Sequence, residues 1–194
     1  MDPNIYQHYQ RLAKKYDFKG PYLEVGAAPG GKAIMAGRAF AGKPDRKAIN
    51  LDVHPQEDGI EFIQCNSNDM RGTFADASFN TIFSNAVLEH DKYFWLSLAE
   101  MKRVLAPGGH LVIGAPAFVR HDPEKAQISG FDEADQATIT YKIHCMPDYW
   151  RFSPMAFRQV ICEGLDILEL KPVRILPRLI AVAQKPLPDL QQSE

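Results

Sequence analysis

The stretch that most limits what this chain can become is Tyr22-Leu23-Glu24-Val25 running into Gly26-Ala27-Ala28-Pro29-Gly30-Gly31 and then into the Ala-rich run from Lys32 to Ala41. A short β-prone run, a tight turn of small residues and a helix-forming segment read as strand, turn and helix, the opening unit of a parallel α/β sheet. The alternation continues on both sides of it. Ile5, Tyr9, Leu12, Ala13 and Tyr16 fall at helical spacing, an amphipathic first helix ended by Lys19-Gly20-Pro21. Residues 48–51, 60–63, 81–84 and 110–114 each have the length and apolarity of a strand in a covered sheet. Phe94, Leu98, Met101 and Leu105 form one helical stripe before the stop Pro107-Gly108-Gly109.

Ser153 caps a further helix running to Glu163, with Pro154 at its first position, and two strands, 165–170 and 179–183, follow with no helix between them. Strands joined that closely pair antiparallel. The expected fold is α/β: a doubly wound, mostly parallel seven-stranded sheet with helices on both faces and an antiparallel C-terminal edge, in a single domain over 1–194. Residues 116–150 fit neither periodicity and carry Pro116, Pro123, Gly130, Pro147 and the acidic run Asp132-Glu133-Ala134-Asp135. A connection that long reads as an inserted lid or substrate segment, or else as a mobile one.

Charge and composition remove several function classes. Twenty-two Lys+Arg against 24 Asp+Glu leave a net charge of −2, so no global positive field holds a polyanion, and nucleic acid is disfavoured as a partner. No uncharged apolar run nears the roughly 18 residues of a membrane span, and the first residues do not read as a leader, so the expectation is a cytoplasmic protein with no membrane partner. Cys65, Cys145 and Cys162 are scattered and read as reduced thiols. His121, Asp122, His144 and Cys145 match no metal cage, so no metal is expected.

The glycine turn lies where a parallel sheet receives its ligand, at the carboxyl end of the first strand. Ala28 stands where the dinucleotide pattern has its second glycine and Pro29 occupies the turn, so a pyrophosphate is imperfectly matched. Gly26, Ala27, Ala28 and Gly30 instead offer nearly bare backbone to a nucleoside, and Glu24 adds a negative charge that suits an ammonium or sulfonium. Asp52, followed by Val53, ends the second strand, where an acid accepts both hydroxyls of a ribose. The polar run Asn66-Ser67-Asn68-Asp69-Met70 suits the amino edge of an adenine, with Met70 or Ile63 covering a ring face. The fourth strand delivers Ser84, Asn85, Ala86 and, further on, His90 to the same end of the sheet.

In order and spacing, Leu23-Glu24-Val25-Gly26-x-x-x-Gly30, Asp52, Phe79-Asn80-Thr81-Ile82, Val87-Leu88-Glu89-His90, Arg103-Val104-Leu105-Ala106-Pro107-Gly108-Gly109 and Asp148-Tyr149-Trp150-Arg151-Phe152-Ser153-Pro154 resemble a class I S-adenosylmethionine-dependent methyltransferase of the type 11 group, over roughly residues 20 to 185. The resemblance implies a Rossmann-like methyltransferase fold, S-adenosyl-L-methionine as cofactor and S-adenosyl-L-homocysteine as product. It implies that Glu24 organises the methionyl end, that Gly26 to Gly30 line the cofactor backbone and that Asp52 binds the ribose. Asn66 to Met70 would face the adenine, and Ser84 to Ala86 would border the methyl donor.

This chain departs from the pattern at Asn66, or at Asn68 if the gap is placed differently, where the family usually has an aspartate, and at Asn80, where Phe-Asp is usual. Its Gly-Ala-Ala-Pro-Gly-Gly turn is closer to the heat-shock RNA ribose methyltransferase group, but that group has an aspartate where this chain has Asn85. The expected activity is methyl transfer to a small-molecule acceptor by a monomer or small homo-oligomer. The alternatives are RNA methylation, a cofactor-binding module without turnover and, weakest, a nicotinamide dehydrogenase. An imidazole is the usual proton acceptor near neutral pH, so His90 is the first candidate for a general base, against a reading in which it caps a helix or packs beneath the cofactor. His144, Tyr149 and Arg151 fall on the substrate side. Arg151 either pairs with a substrate carboxylate or phosphate or anchors its loop through a salt bridge.

Overall fold

The computed structural model describes residues 3–57, 59–117, 147–173 and 178–188. Seven strands, β1 (Tyr22–Val25), β2 (Arg46–Asn50), β3 (Ile60–Gln64), β4 (Phe79–Asn85), β5 (Leu105–Pro116), β6 (Asp166–Val173) and β7 (Arg178–Gln184), form one sheet in the order β3-β2-β1-β4-β5-β7-β6. The first five run parallel, and β7 inserts antiparallel to both β5 and β6. Val25 faces Ile49 on one side and Ser84 on the other, so the carboxyl ends of β1, β2 and β4 meet.

Side-chain alternation explains why both faces are covered. Phe83, Val112 and Val182 join one core with Ile5, Tyr9 and Leu12 of helix α1 (Pro3–Tyr16). Their strand neighbours Ile82, Leu111 and Ala183 join the opposite core with Leu98, Met101 and Val104 of helix α2 (Phe94–Val104). The edge is closed by charge. Buried Glu169 on β6 accepts from Arg11 (2.7 Å), Lys15 (2.5 Å) and the Tyr16 hydroxyl (3.1 Å), which fastens α1 to the sheet. Burial pushes the Glu169 carboxyl up, but these three bonds outweigh it and hold its pKa at about 2.

Three expectations are corrected. Lys32 to Ala41 is not an α-helix but two short 3-10 turns, Ile34–Ala36 and Arg38–Phe40, separated by extended Gly37. The cause is Gln10 of α1. Its amide donates to the Ile34 carbonyl (3.0 Å) and accepts from Ala39 N–H (3.0 Å), and it packs so close to Gly37 that a Cβ there would lie 2.2 Å away. Leu105 does not extend the α2 stripe but opens β5. The helix after Ser153 is one α-turn, α3 (Pro154–Ala156), which widens into a π-turn over Phe157–Ile161 rather than running on to Glu163. Ser153 does cap it, accepting from Ala156 N–H at 3.0 Å.

Candidate active site

A cavity of about 420 Å³ opens at the carboxyl ends of β1, β2, β3 and β4. Gly26 forms its floor with φ +74°, and a Cβ there would lie 2.3 Å from Val87 Cγ2, so the turn accepts only glycine. Ala86 holds a left-handed φ of +57°, unusual for a residue with a side chain, and also lines the cavity.

The rest of the glycine turn sits outside that lining and is held in two ways. Asn50 at the end of β2 donates to the Ala27 carbonyl (2.7 Å), while Ala28 is exposed. Gly30 and Gly31, with φ +76° and +68°, aim consecutive amides at one carboxylate, that of Glu57, at 2.6 and 2.5 Å. Glu24 is 3% exposed and accepts from Ile34 N–H (2.8 Å) and Met35 N–H (3.1 Å). Its charge therefore supports the turn from beneath rather than facing the cavity, and burial, opposed by those two bonds, raises its pKa to about 7.

Asp52 and Val53 are exposed and lie just past the lining residue Leu51. Asn66, Ser67 and Asn68 line the cavity, but Asp69 and Met70 do not. Met70 is fully buried in the core, its N–H donating to Glu100 at 2.7 Å, so it does not cover a ring in the cavity. The sequence reading missed Asp91 and Ser97. The fully buried Ser97 hydroxyl lies 2.7 Å from Ser67 Oγ, 2.6 Å from Asn68 Oδ1 and 2.6 Å from Asp91 Oδ2, joining the wall after β3 to the wall after β4. The available signal was a serine on the apolar face of a helix, where a hydroxyl must find partners.

Ser84 is buried within β4. Asn85 reaches the opposite way, its Oδ1 accepting from Arg178 Nη1 (2.7 Å) with the buried Tyr9 hydroxyl 3.3 Å away. His90 lines the cavity, with Nδ1 2.5 Å from the Pro147 carbonyl and Nε2 3.7 Å from Glu89 Oε1. A carbonyl only accepts, so Nδ1 carries a proton, and the neutral ring with that proton has its lone pair on Nε2. Burial raises the pKa of Glu89, against a backbone hydrogen bond and the charges of His90, Arg178 and Arg151.

Tyr149 lines the rim and is pinned by its N–H to the Glu89 carbonyl (2.7 Å), and Trp150 Nε1 donates to the Asp91 carbonyl (2.9 Å). Arg151 forks onto Asp148 at 2.5 and 2.8 Å, the loop-anchoring arrangement. His121, Asp122, His144 and Cys145 lie outside the described residues. Among the described residues no group of His, Cys, Asp and Glu is placed to hold a metal ion, and no helix is long and apolar enough to cross a membrane.

A strand order of 3-2-1-4-5-7-6 with a glycine turn after β1 and a cavity across β1 to β4 defines the class I methyltransferase fold. Residues 23–113 match the family described as methyltransferase domain. The match marks residues 23–113, a little under half of the chain, as a methyltransferase domain of the type 11 group, a family whose methyl donor is S-adenosylmethionine.

No curated protein matches the chain in sequence. Among solved structures, the chain is similar to the Burkholderia thailandensis 1,6-didemethyltoxoflavin-N1-methyltransferase with 1,6-didemethyltoxoflavin and S-adenosylhomocysteine bound (17% identity, TM-score 0.66, covering 93% of this chain and 78% of that one). It is also similar to a complex of a methyltransferase with the Haloferax volcanii Trm112 methyltransferase activator (15%, TM-score 0.64, 92% and 89%). A third is the Streptomyces coelicolor geranyl diphosphate C-methyltransferase with Mg2+, geranyl diphosphate and S-adenosylhomocysteine (14%, TM-score 0.61, 92% and 77%). At these identities the likeness is one of fold.

Proposed function

We propose that the enzyme methylates a small molecule. The observation that carries this is the cavity wall. Among the described residues Lys92 is the one lysine or arginine on it, and half-exposed Tyr93 and Tyr149 form its rim. An RNA groove needs several cations against phosphates, whereas an aromatic rim with a few polar groups suits a compact acceptor. Two of the similar folds, which carry 1,6-didemethyltoxoflavin and geranyl diphosphate, support the reading.

The chain's residues fit the cofactor. The Gly30 and Gly31 amides already hold a carboxylate, that of Glu57, and the cofactor carries one at its methionyl end. Gly26, Ala27 and Ala28 offer backbone along that arm. Asp52 stands past β2 for the ribose hydroxyls, and Asn66, Ser67 and Asn68 stand past β3 for the base. Ser84 supports from within the sheet, and Asn85 and Ala86 border the methyl. When bound, the cofactor supplies a methyl group on a sulfonium, so the protein contributes mainly alignment and exclusion of water. His90 takes the acceptor's proton at Nε2, and the buried Glu89 carboxylate beside that nitrogen stabilises the imidazolium. Tyr149 positions the acceptor at the rim.

The test uses tritium-labelled S-adenosylmethionine, the purified enzyme and a desalted cell extract to which the small-molecule fraction is added back. Label is expected in the acid-soluble small-molecule fraction and to fall strongly with His90→Gln. Label recovered in RNA instead would overturn the proposal.

A further inference from the structure

Arg178 heads β7, where it lies opposite Pro116 of β5 and Val173 of β6. It is 7% exposed, and among the described residues only Nη1 of its guanidinium is engaged, donating to Asn85 Oδ1 at 2.7 Å. Its Nε is buried with no hydrogen-bond partner. Among the described residues the arginine forms no ion pair within 4 Å, although its charge acts on the buried Glu89 carboxyl, and no hydrogen bond of Nη2 is seen.

Nε–H and the outer N–H of Nη2 point along the same edge of the guanidinium plane, spaced to match two oxygens of a carboxylate or phosphoryl group. The bond from Nη1 to Asn85 fixes the plane and leaves that two-donor edge unused. An unmade bond at a buried Nε–H is costly; Arg46 leaves its Nε unbonded too, but its Nη1 is committed to the Met35 carbonyl, whereas Arg178 holds a side chain at the end of β4.

Position tells which ligand the edge serves. Asn85 ends β4 next to Ala86, which lines the cavity; Asn85 and Arg178 do not line it themselves, and Arg178 shares Asn85 Oδ1 with the Tyr9 hydroxyl of α1. In the strand order β1-β4-β5-β7, Arg178 lies two strands beyond β4, about 10 Å further from the glycine turn. It is therefore on the side of the methyl-bordering residues away from the nucleoside.

We infer that the Nε–Nη2 edge of Arg178 anchors an oxyanion of the methyl acceptor, a carboxylate or a phosphoryl group, so that the acceptor is an organic acid or a phosphorylated small molecule. This rests on the small-molecule reading above and deepens it. Arg178 was invisible as a site residue in the sequence because it opens an apolar strand far from the recognised motifs. Arg151, the candidate for the same role, is spent on Asp148.

The test is proton–nitrogen NMR of the arginine Nε–H groups in full-length, arginine-labelled protein, with and without saturating S-adenosylhomocysteine. The Arg178 signal is identified by its loss in Arg178→Lys. Benzoate, inorganic phosphate and, as the neutral control, benzamide are titrated. The inference expects the Arg178 signal, and not the other arginine signals, to move saturably with benzoate or phosphate in the presence of S-adenosylhomocysteine, and to be untouched by benzamide. Benzoate favoured over phosphate identifies an organic acid as acceptor, and the reverse identifies a phosphorylated one. Arg178→Lys, which keeps the charge and loses the fork, is expected to weaken oxyanion binding about tenfold or more.

No saturable movement with either oxyanion overturns the inference. So does movement that S-adenosylhomocysteine abolishes, which would assign the edge to the cofactor's own carboxylate. If Arg178→Lys does not fold, Arg178→Gln supplies the assignment, and the benzoate-against-benzamide contrast on the wild-type protein decides. Calorimetric binding of S-adenosylhomocysteine is read separately, so failure of the methyltransferase site and failure of the oxyanion site are distinguishable.

Discussion

Replacing Glu24 with glutamine tests the local electrostatics under the glycine turn. In the unfolded chain this carboxyl titrates near 4.5, and in the fold burial moves it to about 7. Between those values the folded protein keeps a proton that the unfolded chain has released, so raising the pH across this window removes stability. The gap, at about 1.4 kcal/mol per pH unit, makes the loss up to about 3 kcal/mol. Glutamine does not ionise, so its stability lacks this slope. It offers one acceptor where the carboxylate served both Ile34 and Met35, a pH-independent cost of about 1 kcal/mol. Urea denaturation of the cofactor-free proteins should therefore show Glu24→Gln slightly weaker than wild type near pH 4.5 and stronger by about 2 kcal/mol near pH 8. The other titrating groups cancel in the difference. Parallel pH profiles for the two proteins would refute the reasoning.

Four further outcomes follow from particular contacts. Glu169→Gln leaves Arg11 and Lys15 without their shared carboxylate, which should cost about 2 kcal/mol in urea unfolding at pH 7. Because the folded pKa is depressed to about 2, that difference should shrink as the pH falls from about 4.5 toward 2. Gly26→Ala places a Cβ against Val87 in a left-handed position, and calorimetry should show S-adenosylhomocysteine binding weakened about tenfold or more, with stability lowered by about 2 kcal/mol. Ser97→Ala removes the hydroxyl between Ser67, Asn68 and Asp91 and should weaken the same binding by about 1 to 3 kcal/mol. Glu57→Ala frees the Gly30 and Gly31 amides and should tighten S-adenosylhomocysteine binding about threefold or more, whereas unchanged affinity would show that the ligand does not use them.

Much of the sheet was legible because β1, β3, β4 and β7 are short, largely apolar runs of the kind a covered strand requires. The carboxyl-end location of the site followed from the same pattern, since the glycine turn sits after β1. What sequence reasoning misplaced depended on contacts between distant segments. The run from Lys32 to Ala41 has helical composition, yet Gln10, far back in the chain, bonds to its backbone on both sides of Gly37 and breaks it. Met70 looked like a ring-covering residue from its place after β3, but the bond from its N–H to Glu100 turns it into the core. Arg178 and Asp91 gave no signal, and Ser97 only that of a serine on an apolar helix face, because such residues gain meaning once strand order and helix docking put them beside Asn85 or Asn68.

The most direct test of the methyltransferase account is a crystal structure of the enzyme with S-adenosylhomocysteine. The account predicts the adenine against Asn66, Ser67 and Asn68, the ribose hydroxyls toward Asp52, the carboxylate at the Gly30 and Gly31 amides with Glu57 displaced, and the sulfur near Ala86. A ligand seated instead in the second cavity, by Tyr16, Asn80 and His110 at the other end of the sheet, would contradict it.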